Sequence, residues 1–435
     1  MRKNQAQAIA PADRWTKMQM LFGGLAALAI LVDGYDSQLI ALCLPAIARD
    51  WHIDKSAFAG VLALGTVGVA CGAALAGIAL DRIGRRLSLI ATLSIVAIGS
   101  ISVSQASNLI TFGVARFVVG AGIGGALAAA TTCLAEFTPP HRRSAMVSFG
   151  ILCMPLGGVC ASTSCAALLD TFGWRTMFVI GGVGPALLVV VLALVFPETP
   201  AFLSGQANRR EELERVMART GAGAWAVDVG AKKAGRAKLS ELFNAAYRRD
   251  TILIWIALFG TLCTTYLAVS WIPSLFASAH GSFKQSSAAL AANGIGAIIG
   301  AAATVLIVQW FGTRKPILFI GLTGAAGLLV LSIMFSVGAS TPMLFALLAI
   351  TSVAVGSTQS LLYVVVSQIY PSEMRGTGVG FGMAIGRVGA VSAAFIGGWA
   401  LHLGGQAFFV IDAAMLLITT VAGFLVGRQA LHSKR

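Results

Sequence analysis

Twelve apolar runs order this chain, and each is long enough to cross a bilayer, which takes about 20 residues of helix. They lie at 20–46, 58–80, 87–106, 109–136, 144–169, 174–196, 251–278, 286–308, 316–337, 342–370, 376–401 and 406–427. A backbone in lipid must satisfy its own hydrogen bonds, so runs of this length fold as helices. The expected fold class is therefore an all-α polytopic membrane protein with twelve transmembrane helices. Composition agrees: 57% of the residues are hydrophobic, 50 are glycine and only 11% are charged, against roughly 25% charged in a soluble domain. Glycine and alanine at this density suit close helix contact in lipid.

A single long polar stretch, 197–250, divides the runs into six and six. The expected domains are an N-terminal half, 1–196, a cytoplasmic central loop, 197–250, and a C-terminal half, 251–435. Lysine and arginine give the orientation. With both termini cytoplasmic, 25 of the 31 lie inside; Arg49, Lys55, Arg175 and Lys284 lie outside, and Arg116 and Arg387 fall within spans. The formal charge of +14 thus belongs to membrane topology, and no nucleic-acid partner is expected. The N-terminus shows no cleavable signal, so the first span is expected to stay. The seven cysteines sit in or beside apolar runs without metal-ligand spacing, and neither a metal site nor a disulfide framework is expected.

The halves repeat each other. Pro139, Arg143, Val147, Phe149, Gly150 and Gly157 recur as Pro371, Arg375, Val379, Phe381, Gly382 and Gly389, all at an offset of 232. Both copies occupy the junction between the fourth and fifth runs of their half. Two pseudo-symmetric six-helix halves follow.

The first run contains Asp33 and Asp36, three residues apart and so on one side of a helix. A carboxylate in lipid is costly and marks function. Shielded from water, it can bind and release protons under cellular conditions. Asp33 lies deeper and is the first choice for the coupling proton; Asp36 is one turn nearer the outside, and the pair is expected to share a proton. Arg387, midway along the eleventh run, offers a planar fork that matches a carboxylate. With the site empty, Asp33 or Asp36 is expected to serve as its partner. Arg116 in the fourth run is read as a coupling residue or gate. Gln359, Tyr35, Tyr266, Trp271 and Tyr363 are candidates for contact with an aromatic ring. Asp412 is read as interfacial, outside the mechanism.

After the second run comes Gly77-Ile-Ala-Leu-Asp81-Arg82-Ile-Gly84-Arg85-Arg86, where Gly84 permits a tight turn and the arginines pin the loop inside. This closely resembles the signature loop of the major facilitator superfamily. The resemblance implies a cytoplasmic latch of Gly77, Asp81, Arg82, Gly84, Arg85 and Arg86, joined by Glu136, Arg142, Arg143 and Arg375. The second-half copy, Gln309 to Lys315, lacks the acid, so a weaker latch is expected there. Asp33-Gly34-Tyr35-Asp36 resembles the signature of the aromatic acid:proton symporters within that superfamily. Arg116-Phe-Val-Val-Gly120, Pro197-Glu198-Thr199-Pro200, Tyr370-Pro371 and Gly386-Arg387-Val-Gly389 extend the resemblance along the chain.

The resemblance implies a bacterial inner-membrane importer of a small aromatic carboxylate, coupled to protons, with lipids as its surroundings and the monomer as its working unit. No cofactor is expected, because the chain has no GxxxxGK[ST] nucleotide loop and the proton gradient remains as energy source. An enzyme is not expected, since the spans offer no nucleophile–base or metal constellation. A facilitator for a non-aromatic acid and a transporter-like chemoreceptor remain as alternatives.

Overall fold

The computed structural model describes residues 16–220, 239–280 and 283–427. Helix α1 (Lys17–Asp50) opens on a capping box. The Thr16 hydroxyl accepts from the Gln19 N–H, and the Gln19 side chain accepts from the Thr16 N–H, which satisfies two donors that a helix start otherwise leaves open. Helices α2 (Ala59–Ile83), α3 (Arg85–Ser104) and α4 (Leu109–Phe137) follow. One helical run, Pro140–Val195, then contains two spans. Gly173, at φ 76°, breaks it into α5 (140–172) and α6 (174–195).

The central stretch contributes α7 (Pro200–Ser204) and α8 (Arg210–Thr220). The second half is α9 (Arg248–His280), α10 (Phe283–Phe311), α11 (Arg314–Ser336), α12 (Thr341–Ile369), α13 (Ser372–Leu403) and α14 (Gly405–Leu425). Among the described residues eleven helical stretches are long and apolar enough to cross a membrane, and the one interrupted at Gly173 supplies two spans. Several helices overrun their apolar runs, because caps such as the Thr16 side chain on the Gln19 N–H carry the helix into the polar margin.

The internal repeat is visible in both turns and packing. Gly84 and Gly312, at φ 94° and 71°, end the second helix of each half, and Gly173 and Gly404, at 76° and 96°, separate the fifth from the sixth. Helix α2 packs on α4 as α10 packs on α12, and α1 packs on α5 as α9 packs on α13. Between the halves α1 meets α9, α2 meets α13 and α5 meets α10.

The polar centre and its gates

Helix α1 brings its acids into the centre because α5 lies against it without a gap. A Cβ at Gly34 would overlap the backbone carbonyl of Met154, so only glycine permits this approach. The result shields both carboxylates: Asp33 is 1% exposed and Asp36 is fully buried.

Their surroundings differ. Asp36 has both oxygens engaged, one by the Ser100 hydroxyl of α3 and the other by Arg116 of α4, whose Nη1 donates at 3.1 Å. Arg116 is itself buried, so it does not snorkel to an interface but neutralises Asp36 inside the N-terminal half. Asp33 has no hydrogen-bond partner on either oxygen among the described residues. It lies within Coulombic range of Asp36 and, across the seam, of Arg387. The expected proton-sharing pair is thus divided into one ion-paired acid and one open acid.

Arg387 comes from α13 and donates Nη1 to the Tyr266 hydroxyl of α9 at 2.8 Å. Its hydrogen-bond partner is therefore a tyrosine, and neither aspartate is bonded to it. Beside it Gln359 donates to the Tyr363 hydroxyl at 2.9 Å and accepts from Thr265 at 3.0 Å. On the opposite side of the seam Tyr35 pairs with Ser164 of α5 at 2.9 Å. The structure thus gathers Asp33, Asp36, Arg116, Tyr35, Arg387, Tyr266, Gln359 and Tyr363 around one centre. Trp271 is not among them: fully buried, it fills the space left by Gly397 and Gly398 where α9 meets α13. Asp412 is not interfacial either. It is 2% exposed, set on α14 against α9, because the helix turns that position inward.

The loop after α2 folds around an acid that the sequence reading leaves out of the latch. Glu198 Oε1 accepts the backbone N–H groups of Arg85, Arg86 and Thr199 at 2.9, 3.2 and 2.9 Å. It caps the start of α3 from outside the helix, where open donors and the helix dipole favour a negative charge. Gly84 is required twice over, by its φ of 94° and because a Cβ there would overlap the Glu198 carboxylate. Arg85 bonds Glu136 at 3.1 Å and the Leu80 carbonyl at 2.9 Å, while Arg86 reaches the Ala193 carbonyl at 2.6 Å.

Asp81, expected at the heart of this network, is instead 79% exposed and reaches Arg85 only at 4.0 Å. Gly77 and Arg82 lie on exposed faces of α2, and Arg142 is exposed. The Arg143 Nε donates to the Ala135 carbonyl at 2.7 Å. The Arg375 side chain lies outside the described residues. The signal for Glu198 was present in the Pro-Glu-Thr-Pro motif, but its partner is more than a hundred residues away in sequence.

Comparison with known proteins decides the family. The family model of the Major Facilitator Superfamily matches residues 26–334 and 254–434. The chain belongs to the major facilitator superfamily. Within it, the chain is similar to the 4-hydroxybenzoate transporter PcaK of Pseudomonas aeruginosa, 29% identical over 97% of this chain and 94% of that protein. It is also similar to the gallate transporter of Pseudomonas putida, 29% identical over 89% of this chain and 86% of that protein. In structure it resembles the xylose transporter XylE from E. coli in its inward-open conformation, with a TM-score of 0.76 at 19% identity, covering 95% of this chain and 97% of that one. The superfamily and these relatives are transporters, not enzymes, and the aromatic acid resemblance read from the motifs is borne out. This facilitator is a multi-pass membrane protein.

Proposed function

We propose that this facilitator imports a small aromatic carboxylate across the bacterial inner membrane together with protons, powered by the proton gradient, with both termini in the cytoplasm. The observation that carries the reading is Asp33: a carboxylate 1% exposed, with neither oxygen hydrogen-bonded among the described residues, opposite Arg387 across the seam. An isolated buried charge is expensive, whereas a group that gains and loses a proton as the site opens to either side suffers no permanent penalty.

The cycle follows from the placement. The substrate carboxylate binds Arg387, which exchanges its bond to Tyr266 for an ionic one, and the ring packs among Tyr35, Tyr266 and Tyr363. Asp33 takes up the proton, which removes the negative charge next to the incoming anion. The Asp36–Arg116 pair remains a neutral support within the N-terminal half. The two halves then rock about the three seams.

The test is uptake of labelled 4-hydroxybenzoate into cells, with and without a protonophore, by wild type and Asp33→Asn. Accumulation that collapses under both changes supports coupling through Asp33. Uphill uptake that persists in Asp33→Asn at wild-type level removes Asp33 from the role.

A further inference from the structure

Opposite the Gly84 loop, on the face assigned above to the outside, the halves are bridged by basic side chains. Lys55, in the turn before α2, donates Nζ to the Ser278 hydroxyl at 2.7 Å and to the Ser274 carbonyl of α9 at 3.4 Å. Asp54 faces His402 of α13 at 3.7 Å. Arg49, in the last turn of α1, lies over the Phe283 ring of α10 at 4.8 Å. These groups surround a cavity of about 410 Å³ lined by Arg49, Ile53, Lys55, Ser278, Leu401 and His402 among others. It lies between the halves and away from the central site.

We propose that this cavity is a second, outer binding site that captures the aromatic carboxylate before it reaches the centre, and that its occupation draws Lys55 away from Ser274 and Ser278 and so loosens the outer gate. The choice of substrate rests on the function proposed above.

The chemistry favours an anion. Arg49 and Lys55 supply two positive side chains against one carboxylate, and Asp54 is itself engaged. Its Oδ1 accepts from the Ser56 hydroxyl at 2.5 Å and the Ser56 N–H at 2.7 Å. No hydrogen bond occupies the Arg49 guanidinium among the described residues, so its fork is available to a carboxylate. Pro45, Ile53 and Leu401 give the ring an apolar wall, and the volume falls within the roughly 300–1,000 Å³ of small-molecule sites. A positive vestibule also raises the local concentration of an anionic substrate. The gate consequence is competitive. Each Lys55 N–H that turns to a substrate oxygen is one that no longer bridges to α9.

The experiment measures equilibrium binding of labelled 4-hydroxybenzoate to the full-length chain in phosphatidylcholine nanodiscs. Wild type is expected to bind two per chain, Arg387→Gln one, Arg49→Gln/Lys55→Gln one, and the triple variant none. In cells, Arg49→Gln is expected to raise KM about tenfold, the loss of one charge-assisted bond, with the maximal rate kept and Arg49→Lys restoring much of the affinity.

A single wild-type site abolished by Arg387→Gln overturns the outer site and leaves the transport reading intact. Binding that survives Arg387→Gln, but not the outer substitutions, upholds the outer site even where wild-type cells take up no 4-hydroxybenzoate, an outcome that would sink only the transport reading. Loss of the second site when phosphatidylglycerol replaces the neutral lipid assigns the cavity to lipid headgroups and overturns the proposal.

Discussion

The Asp36–Arg116 pair permits a quantitative test, because both side chains are nearly inaccessible, at 0% and 6% exposure, and their contact is direct at 3.1 Å. Breaking a buried pair from one side leaves an uncompensated charge, at a cost of about 3–5 kcal/mol. Arg116→Gln and Asp36→Asn should each lose stability in that range, moderated for Asp36→Asn because Ser100 still has an amide oxygen to bond. The double variant removes both charges and should recover much of the loss. A coupling of about 3 kcal/mol corresponds to roughly two decades in the unfolding equilibrium constant. The assay is reversible unfolding in mixed detergent micelles at pH 8, for wild type, both single variants and the double variant. Additivity within about 0.5 kcal/mol would refute the claim that the two charges support each other.

Gly84→Ala should destabilise by about 1–3 kcal/mol, the cost of a backbone conformation that side chains rarely adopt, read as a lower melting temperature; an unchanged melt would show that the turn relaxes freely. Glu198→Gln keeps an acceptor but discards its charge, so about 1–2 kcal/mol of local protection should vanish, seen as faster amide exchange at Arg85 and Arg86 while exchange in α9 is unaltered. In the turn before α2, the Ser56 hydroxyl and then the Ser56 N–H hold Asp54 below the ordinary carboxylate range. A depressed acid stabilises the fold above its ordinary value and loses that contribution as pH falls through the folded one. Between pH 5 and pH 3 wild type should therefore lose slightly more melting temperature than Asp54→Asn, a small difference because the side chain is 66% exposed. Parallel curves would count against the Ser56 bonds.

Much of the fold was legible because lipid leaves few choices. Apolar length located every span, the Gly84 turn appeared as a glycine within a charged loop, and the repeat at Pro139 and Pro371 revealed the two halves before any helix was placed. The centre was legible as a cast of residues but not as a set of bonds. Periodicity puts Asp33 and Asp36 on one side of α1; which of them meets a cation depends on where α3 and α4 bring Ser100 and Arg116. Arg387 could be recognised as an anion ligand, whereas its engagement by Tyr266 depends on how α13 packs on α9. Glu198 was hidden by separation in sequence, and the depth of Asp412 by helix rotation, which a short distance from the end of a run does not reveal.

The placement of the central groups has an evolutionary consequence. Asp33, Asp36 and Arg116 lie on α1 and α4, whereas Arg387, Tyr266, Gln359 and Tyr363 lie on α9, α12 and α13. On the reading proposed here, the coupling acids reside in the N-terminal half and the arginine that binds the cargo's carboxylate resides in the C-terminal half, with Tyr35 of α1 the ring contact from the N-terminal side. A lineage can then alter the grip on its cargo's carboxylate through α9 to α14 while its motor stays untouched, and a chimera that joins this N-terminal half to the C-terminal half of a relative should keep this chain's coupling and its Tyr35 ring contact while it takes the relative's remaining cargo contacts.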